Sequence, residues 1–278
     1  MKLSKVSDAA KAPLRKARAE ALKKTVKVHA GSARFIAHRG YSDEAPENTV
    51  KAFELAAEEG FHSMETDIRY TKDGKPVLIH DASLKRMCGV DKKVCDLTYE
   101  EIRKIPITGG RNNGIYHDDI KATRIPNLKE FLIICRDNGM VPMMELKDNW
   151  NVEEPLSDEV LSDIVRRTRE VMEDRPVIYV SFNLNSLLGL KHILSEQGIR
   201  NVTLFHIVSV IDTNMIPFYK ENGIQVSCNE KKNKLHDMRK VREAGLTLVV
   251  WTVNNMDQAR LFVHGRIEWI ASNKKLWT

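Results

Sequence analysis

Eight short runs of apolar and β-branched residues recur along this chain, and helical patterns separate them. The runs are FIAH (35–38), METDIRY (64–70), VPMMEL (141–146), VIYVSF (177–182), VTLFHI (202–207), IQVSC (224–228), LTLVVWTV (246–253) and EWIAS (268–272). Between them lie stretches such as APENTVKAFELAAEEG, with Pro46 near its start and Gly60 past its end, the usual helix start and stop signals. Strand alternating with helix specifies βαβ units and a parallel sheet. Eight such units predict a closed (β/α)8 barrel of TIM type in one domain, and 278 residues suit that size. Only NKKLWT follows the last run. The expectation is therefore that the final outer helix is missing or very short.

The domain reading is a basic helical arm over 1–33 and a barrel over 34–278, with an irregular insertion at about 82–125 above the barrel. Within the insertion, LTYEEIRKI predicts one short helix and GGRNNGIYHDD a polar loop without a clear apolar lip. The net charge of +6 is uneven: residues 1–34 carry ten Lys/Arg and two acids, a net of +8, which leaves −2 for the remainder. No aromatic interleaves the arm's basic residues, so the arm is expected to pack as a solvated helix where the last outer helix is lacking, and not to bind nucleic acid; a tether to an anionic membrane is the alternative. No run approaches the roughly 18 apolar residues of a membrane span, and no apolar leader is visible. Cys88, Cys95, Cys135 and Cys228 form no CxxC pair and suit reduced thiols in the cytoplasm, with a secreted or periplasmic location as the alternative if a leader has been removed.

Barrels of this kind carry their chemistry at the C-terminal ends of the strands. His38 and Arg39 fall at the end of the first strand, Glu65 and Asp67 on the second, Glu145 and Lys147 at the end of the third. Residues i and i+2 of a strand share a face, so Glu65 and Asp67 point together. If Asp73-Gly74 are the central pair of a two-residue turn, Lys72 pairs with Lys75 and Asp67 faces His80 across the hairpin. Three carboxylates crowded together would force at least one to take up a proton, unless a cation neutralises them. Oxygen donors suit Ca²⁺ or Mg²⁺, and the lack of an HExxH or cysteine-rich pattern argues against zinc. His38 and His80 suit proton transfer, and Arg39 and Lys147 suit a phosphate. Each short motif alone is more often structural. Their joint placement at successive strand ends changes that balance.

The chain resembles the glycerophosphodiester phosphodiesterases. The residues that carry the resemblance are AHRG (37–40), PENT (46–49), Glu65-x-Asp67 followed by TKDG-PV-IHD (71–81), DLTYEEI (96–102), RIPNLKEFL (124–132), MMELK (143–147), SF (181–182) and WTVN (251–254). The resemblance implies a barrel with a small insertion and a divalent cation on Glu65, Asp67 and Glu145. It implies His38 as catalytic base, His80 as catalytic acid, and Arg39 and Lys147 on the phosphate. Trp251 matches an aromatic near the pocket, with a place in the barrel core as the equal alternative. One departure stands at the last strand, where Ser272-Asn273-Lys274 replaces the family's usual Thr-Asp-x-Pro.

The activity so implied is metal-dependent hydrolysis of a small glycerophosphodiester to an alcohol and glycerol 3-phosphate. Attack by water or by the substrate's own hydroxyl both remain open. The alternatives are a lysophospholipase D or phospholipase-C-like phosphodiesterase on the same barrel, or an inactive barrel that binds a ligand or partner.

Overall fold

The computed structural model describes residues 33–147 and 154–277. The arm expected over 1–33 lies outside the described residues except for Ala33.

The sheet closes on itself. Its strands are β1 (Arg34–Ala37), β2 (Ser63–Tyr70), β4 (Val141–Leu146), β5 (Val177–Ser181), β6 (Val202–Val208), β7 (Ile224–Asn229), β8 (Leu248–Trp251) and β9 (Trp269–Ser272), all parallel to their neighbours. β1 pairs with both β9 and β2, which completes an eight-stranded TIM-type barrel. The short β3 (Pro76–Leu78) runs antiparallel to β2, outside the ring. The principal outer helices are α1 (Val50–Glu58), α5 (Leu128–Asp137), α6 (Asp158–Met172), α7 (Leu184–Glu196), α8 (Ile216–Asn222), α9 (Leu235–Glu243) and α10 (Met256–His264). Their starts are written locally: Thr49, Asn127, Ser157, Asn183 and Asn255 each accept a backbone N–H of the first turn. Asn127 and Glu130 form a reciprocal capping box.

Two apolar layers hold the barrel. The larger lies between strands and helices. The smaller fills the barrel itself and includes Ile36, Met143, Val180, Phe205, Ile207 and Val249. Beyond the last strand, Leu276 and Trp277 are buried. The Trp277 ring lies 4.7 Å from Phe35 and 4.8 Å from Phe61, centroid to centroid. The final strand's flank is thus covered in part by the chain that follows it.

The segment between β3 and α5 holds more structure than LTYEEIRKI predicts. It contains three one-turn helices, α2 (Lys85–Cys88), α3 (Tyr99–Ile102) and α4 (Ile120–Thr123), with a 3₁₀ turn at Val94–Asp96. Leu84, Met87, Val94, Ile102 and Ile107 give it an apolar cluster of its own. The loop expected to lack an apolar lip exposes Ile115 and Ile120, at 72% and 64%.

The β2–β3 turn corrects the hairpin expectation. The observed pairs are Ile68 with Leu78, Arg69 with Val77 and Tyr70 with Pro76. The closing residues are Thr71 and Lys75, around a three-residue loop in which Gly74 is left-handed at φ 69°. Thr71 Oγ1 donates to Asp73 and accepts from the Lys75 N–H, and these bonds favour the longer loop. The register moves by one residue. Asp67 is bonded to Ile79, whose N–H donates to the Asp67 carbonyl at 3.1 Å, and not placed opposite His80.

Candidate active site

Sheet register builds the acidic half of the site. β2 and β4 run in parallel with Asp67 directly beside Glu145, and Glu65 precedes Asp67 by two residues on the same face. All three carboxylates are buried, and each offers an oxygen within 4.8 Å of the others. Lys147, two residues beyond Glu145, places its ammonium 3.1 Å from Asp67 Oδ1 and donates to Glu145 Oε1.

Burial is the largest influence on each carboxyl. It pushes Glu65 well above the usual carboxylate range, with repulsion from Asp67 and Glu145 adding to it. It pushes Glu145 up to about 7 against the pull of Lys147. Asp67 feels the same burial, but Lys147 and Arg39 outweigh it and hold this carboxyl well below its ordinary value. Three buried carboxylates thus share two fixed cations, Arg39 and Lys147. A third positive charge with a preference for oxygen fits the residues present, and a divalent hard cation meets that description.

The loop after β1 supplies the next groups. Arg39 adopts a left-handed backbone at φ 59°, and Gly40 follows at φ 76°. A Cβ on Gly40 would sit 2.8 Å from the Ala52 backbone, so only glycine lets the loop lie this close to α1. The Arg39 N–H donates to Glu65 Oε2 at 2.8 Å. Its guanidinium donates to Glu47 at 3.0 Å and lies 3.2 Å from Asp67 Oδ2. Asn48, also left-handed at φ 55°, donates from Nδ2 to Asp67 Oδ2 at 2.7 Å. Its Oδ1 accepts from Thr66 Oγ1 at 2.8 Å.

His38 and His80 complete the ring. His38 Nδ1 lies 2.7 Å from Asn273 Oδ1. Burial, then Arg39, lowers the His38 imidazole to about 4. His80 Nδ1 lies 2.6 Å from Asp81 Oδ1. Its ring is also lowered, chiefly by burial, with Asp67 pulling the other way. Phe182 and Trp251 line the same cavity, edge to face with centroids 6.1 Å apart. The Trp251 indole N–H is buried without a partner.

Seven of the eight residues singled out in the sequence line one cavity of about 100 Å³: His38, Arg39, Glu65, His80, Glu145, Lys147 and Trp251. Asp67 sits behind them, fully buried. A family model for the glycerophosphoryl diester phosphodiesterases matches residues 38–275. The chain belongs to this family.

Among relatives in the phosphodiesterase family, mouse glycerophosphodiester phosphodiesterase 1 is 40% identical over 113 residues, which make up 40% of this chain and 33% of the mouse protein. The chain thus matches about a third of the length of that relative. A glycerophosphodiester phosphodiesterase from Caldanaerobacter subterraneus is 28% identical over 248 residues, 86% of this chain and 93% of its own. Among solved structures, a phosphodiesterase from Oleispira antarctica, held in complex with the product sn-glycerol-3-phosphate, superposes with a TM-score of 0.75. It is 23% identical and covers 86% of this chain and 92% of its own, which supports the barrel fold. Glu47, Asn48, Asp81 and Asn273 escaped the sequence reading as site residues. The PENT and IHD motifs contain three of them, Glu47, Asn48 and Asp81, and each contacts a residue of the site.

Proposed function

We propose that this chain is a divalent-cation-dependent phosphodiesterase that cleaves glycerophosphodiesters to an alcohol and glycerol 3-phosphate. The observation that carries this reading is one cavity lined by two imidazoles, two basic side chains and two of three clustered carboxylates. Glu65, Asp67 and Glu145 would hold the Ca²⁺ or Mg²⁺ ion, whose chemistry is to draw negative charge from a non-bridging phosphate oxygen.

Lys147 and Arg39 present positive charge to the same phosphate. Asn273 Oδ1 accepts from His38 Nδ1–H, which leaves the Nε2 lone pair free to take a proton from the attacking hydroxyl. A ring lowered to about 4 is neutral at pH 7 and ready as that base. His80 has a carboxylate on Nδ1, and a bound phosphodiester anion adds to the pull of Asp67 and Asp81 toward the protonated ring. In this reading His80 holds the proton that passes to the leaving alkoxide. Trp251, with its free indole N–H, and Phe182 form the wall that receives the organic part. The four free cysteines fit a cytoplasmic location, and no helix among the described residues is long and apolar enough to cross a membrane.

A second reading, a lysophospholipid diester as substrate, is favoured by exposed Ile115 and Ile120. Their loop is tied to the β1–α1 segment through Asn112, which donates to the Glu44 carbonyl at 2.8 Å. Release of glycerol 3-phosphate from glycerophosphodiesters with and without an acyl chain tests both readings. Turnover is expected to vanish on exhaustive chelation and return with Ca²⁺ or Mg²⁺. Undiminished turnover after chelation overturns the cation's role, and no turnover on any diester with cation present overturns the activity.

A further inference from the structure

Arg86, on α2, does not line the cavity but holds the partners of two side chains that do. Its Nε donates to Asp81 Oδ2 at 2.5 Å. Its two terminal nitrogens donate to Glu47, at 2.7 Å to Oε1 and 3.1 Å to Oε2. Asp81 is the partner of His80, and Glu47 is the partner of Arg39. One guanidinium therefore clamps two carboxylates that each hold a side chain of the site. The planar fork of arginine matches this task, because it can serve one carboxylate bidentately and a second from Nε.

The clamp is itself fixed from behind. The Thr108 and Gly109 N–H groups both donate to the Met87 carbonyl at 2.8 Å. A Cβ on Gly109 would come within 2.6 Å of the Arg86 carbonyl oxygen, so the chain passes directly against α2. The insertion's apolar cluster, with Leu84 and Met87, anchors the same turn. The arrangement does not simply decorate the surface. An exposed arginine with one carboxylate would contribute little, but this one joins residues 47 and 81 across the mouth of the barrel.

We propose that Arg86 is a positioning residue, through which the insertion sets the orientation of His80 and of Arg39. This rests on the phosphodiesterase reading above for its effect on rate, and on geometry alone for its effect on the His80 ring. Replacing Arg86 by Ala is expected to lower kcat by about 10–100-fold, the usual cost of losing a partner that orients a site residue. KM should change less, since Lys147, which is held by Asp67 and Glu145 and not by the Arg86 clamp, still presents its charge to the phosphate. Arg86→Lys, with a point charge that cannot serve both carboxylates, should fall between, and added guanidinium should restore part of the Arg86→Ala rate.

The second measurement needs no turnover. In the wild-type protein, ¹⁵N-resolved NMR should show a protected His80 Nδ1 proton, and Arg86→Ala should lose it while the melting temperature falls only slightly. If the wild-type protein cleaves no diester, the functional reading fails and the NMR result still decides the clamp. An Arg86→Ala protein with unchanged kcat and an unchanged His80 Nδ1 proton overturns the proposal. So does a lowered kcat that neither Arg86→Lys nor guanidinium improves. Should Arg86→Ala fail to fold, Arg86→Lys carries the same pair of measurements.

Discussion

The two halves of this site are held by different means. The carboxylates and Lys147 stand on β2 and at the end of β4, where ladder hydrogen bonds and barrel closure fix each Cα. Asp67 and Glu145 are neighbours because parallel register makes them so. The histidines stand on loops, just past β1 and β3, and are aimed by side chains that come from elsewhere. Asn273 reaches His38 from 235 residues away, and Asp81 reaches His80 under the hold of Arg86. A strand-borne group cannot retreat when its neighbour changes size. A loop-borne group can, provided its partner follows.

Lengthening one carboxylate on each side gives the largest contrast. Asp67 is fully buried among Asn48, Arg39 and Lys147. Asp67→Glu adds a methylene with no room for it. Turnover should fall by more than about 10³-fold, because several kcal/mol of charge stabilisation depends on this cluster. Cation affinity, measured by calorimetry, should fall with it. Asp81 is 29% exposed at its side chain, and Asp81→Glu should cost less than about tenfold, the low end for a partner that orients another residue. Equal losses in the two variants would break the distinction between halves.

Next in size come the histidines. His38→Ala and His80→Ala should each reduce turnover by roughly 10²–10⁴, the usual share of one general acid or base. Both rings are only partly buried at the rim, so thermal unfolding should shift little. Either variant retaining near-normal turnover while folded would remove that residue from the proposed roles.

This division also explains what could be read in the letters. Alternation of strand and helix patterns specifies the barrel, and the two-residue period of a strand brings Glu65 and Asp67 to one face. Those are local rules, and they placed the strand-borne half. The hairpin register depended on a finer choice, a turn of two residues or three, and Thr71 decided it through bonds that the pattern of apolar residues does not encode. Asn48 and Glu47 were visible as part of PENT, but their task appears only once the loop is folded back on β2. Arg86 carries no local signal at all, and Asn273 stands out only as a departure from a family motif, because the contacts that define them join segments distant in sequence. The arm over 1–33 lies outside the described residues, and Leu276 and Trp277 cover part of the flank it was expected to fill.

Asn48 tests the bridge between the halves. Asn48→Ala leaves Thr66 Oγ1 without its acceptor and Asp67 Oδ2 without its amide donor, both in buried surroundings. Each such group costs about 1–3 kcal/mol. Alanine also strains the φ of 55° that glycine accepts freely. Asn48→Gly should therefore recover up to about 1 kcal/mol over Asn48→Ala in chemical denaturation. If glycine and alanine unfold together, the hydrogen bonds alone account for the loss and the left-handed backbone contributes nothing.

The smallest effect is the most specific. Asn273→Asp places a carboxylate 2.7 Å from His38 Nδ1, where an amide oxygen now accepts. Burial, then Arg39, holds the His38 imidazole down to about 4, below its ordinary 6.5. A depressed histidine contributes stability that is present above 6.5 and lost as pH falls through 4, because the unfolded chain takes up the proton first. An adjacent carboxylate favours the imidazolium and should raise the His38 value by about 1–3 units. The variant should then lose less stability between pH 6.5 and 4 than the wild-type protein, on account of this group. The acid limb of kcat/KM should move upward by a similar amount, while the rate at pH 8, where the base is neutral in both proteins, should change less than about tenfold. NMR titration of the His38 ring reads the shift directly. If the ring titrates at the same pH in both proteins, burial and Arg39 alone set His38, and the amide at position 273 serves only to aim the ring.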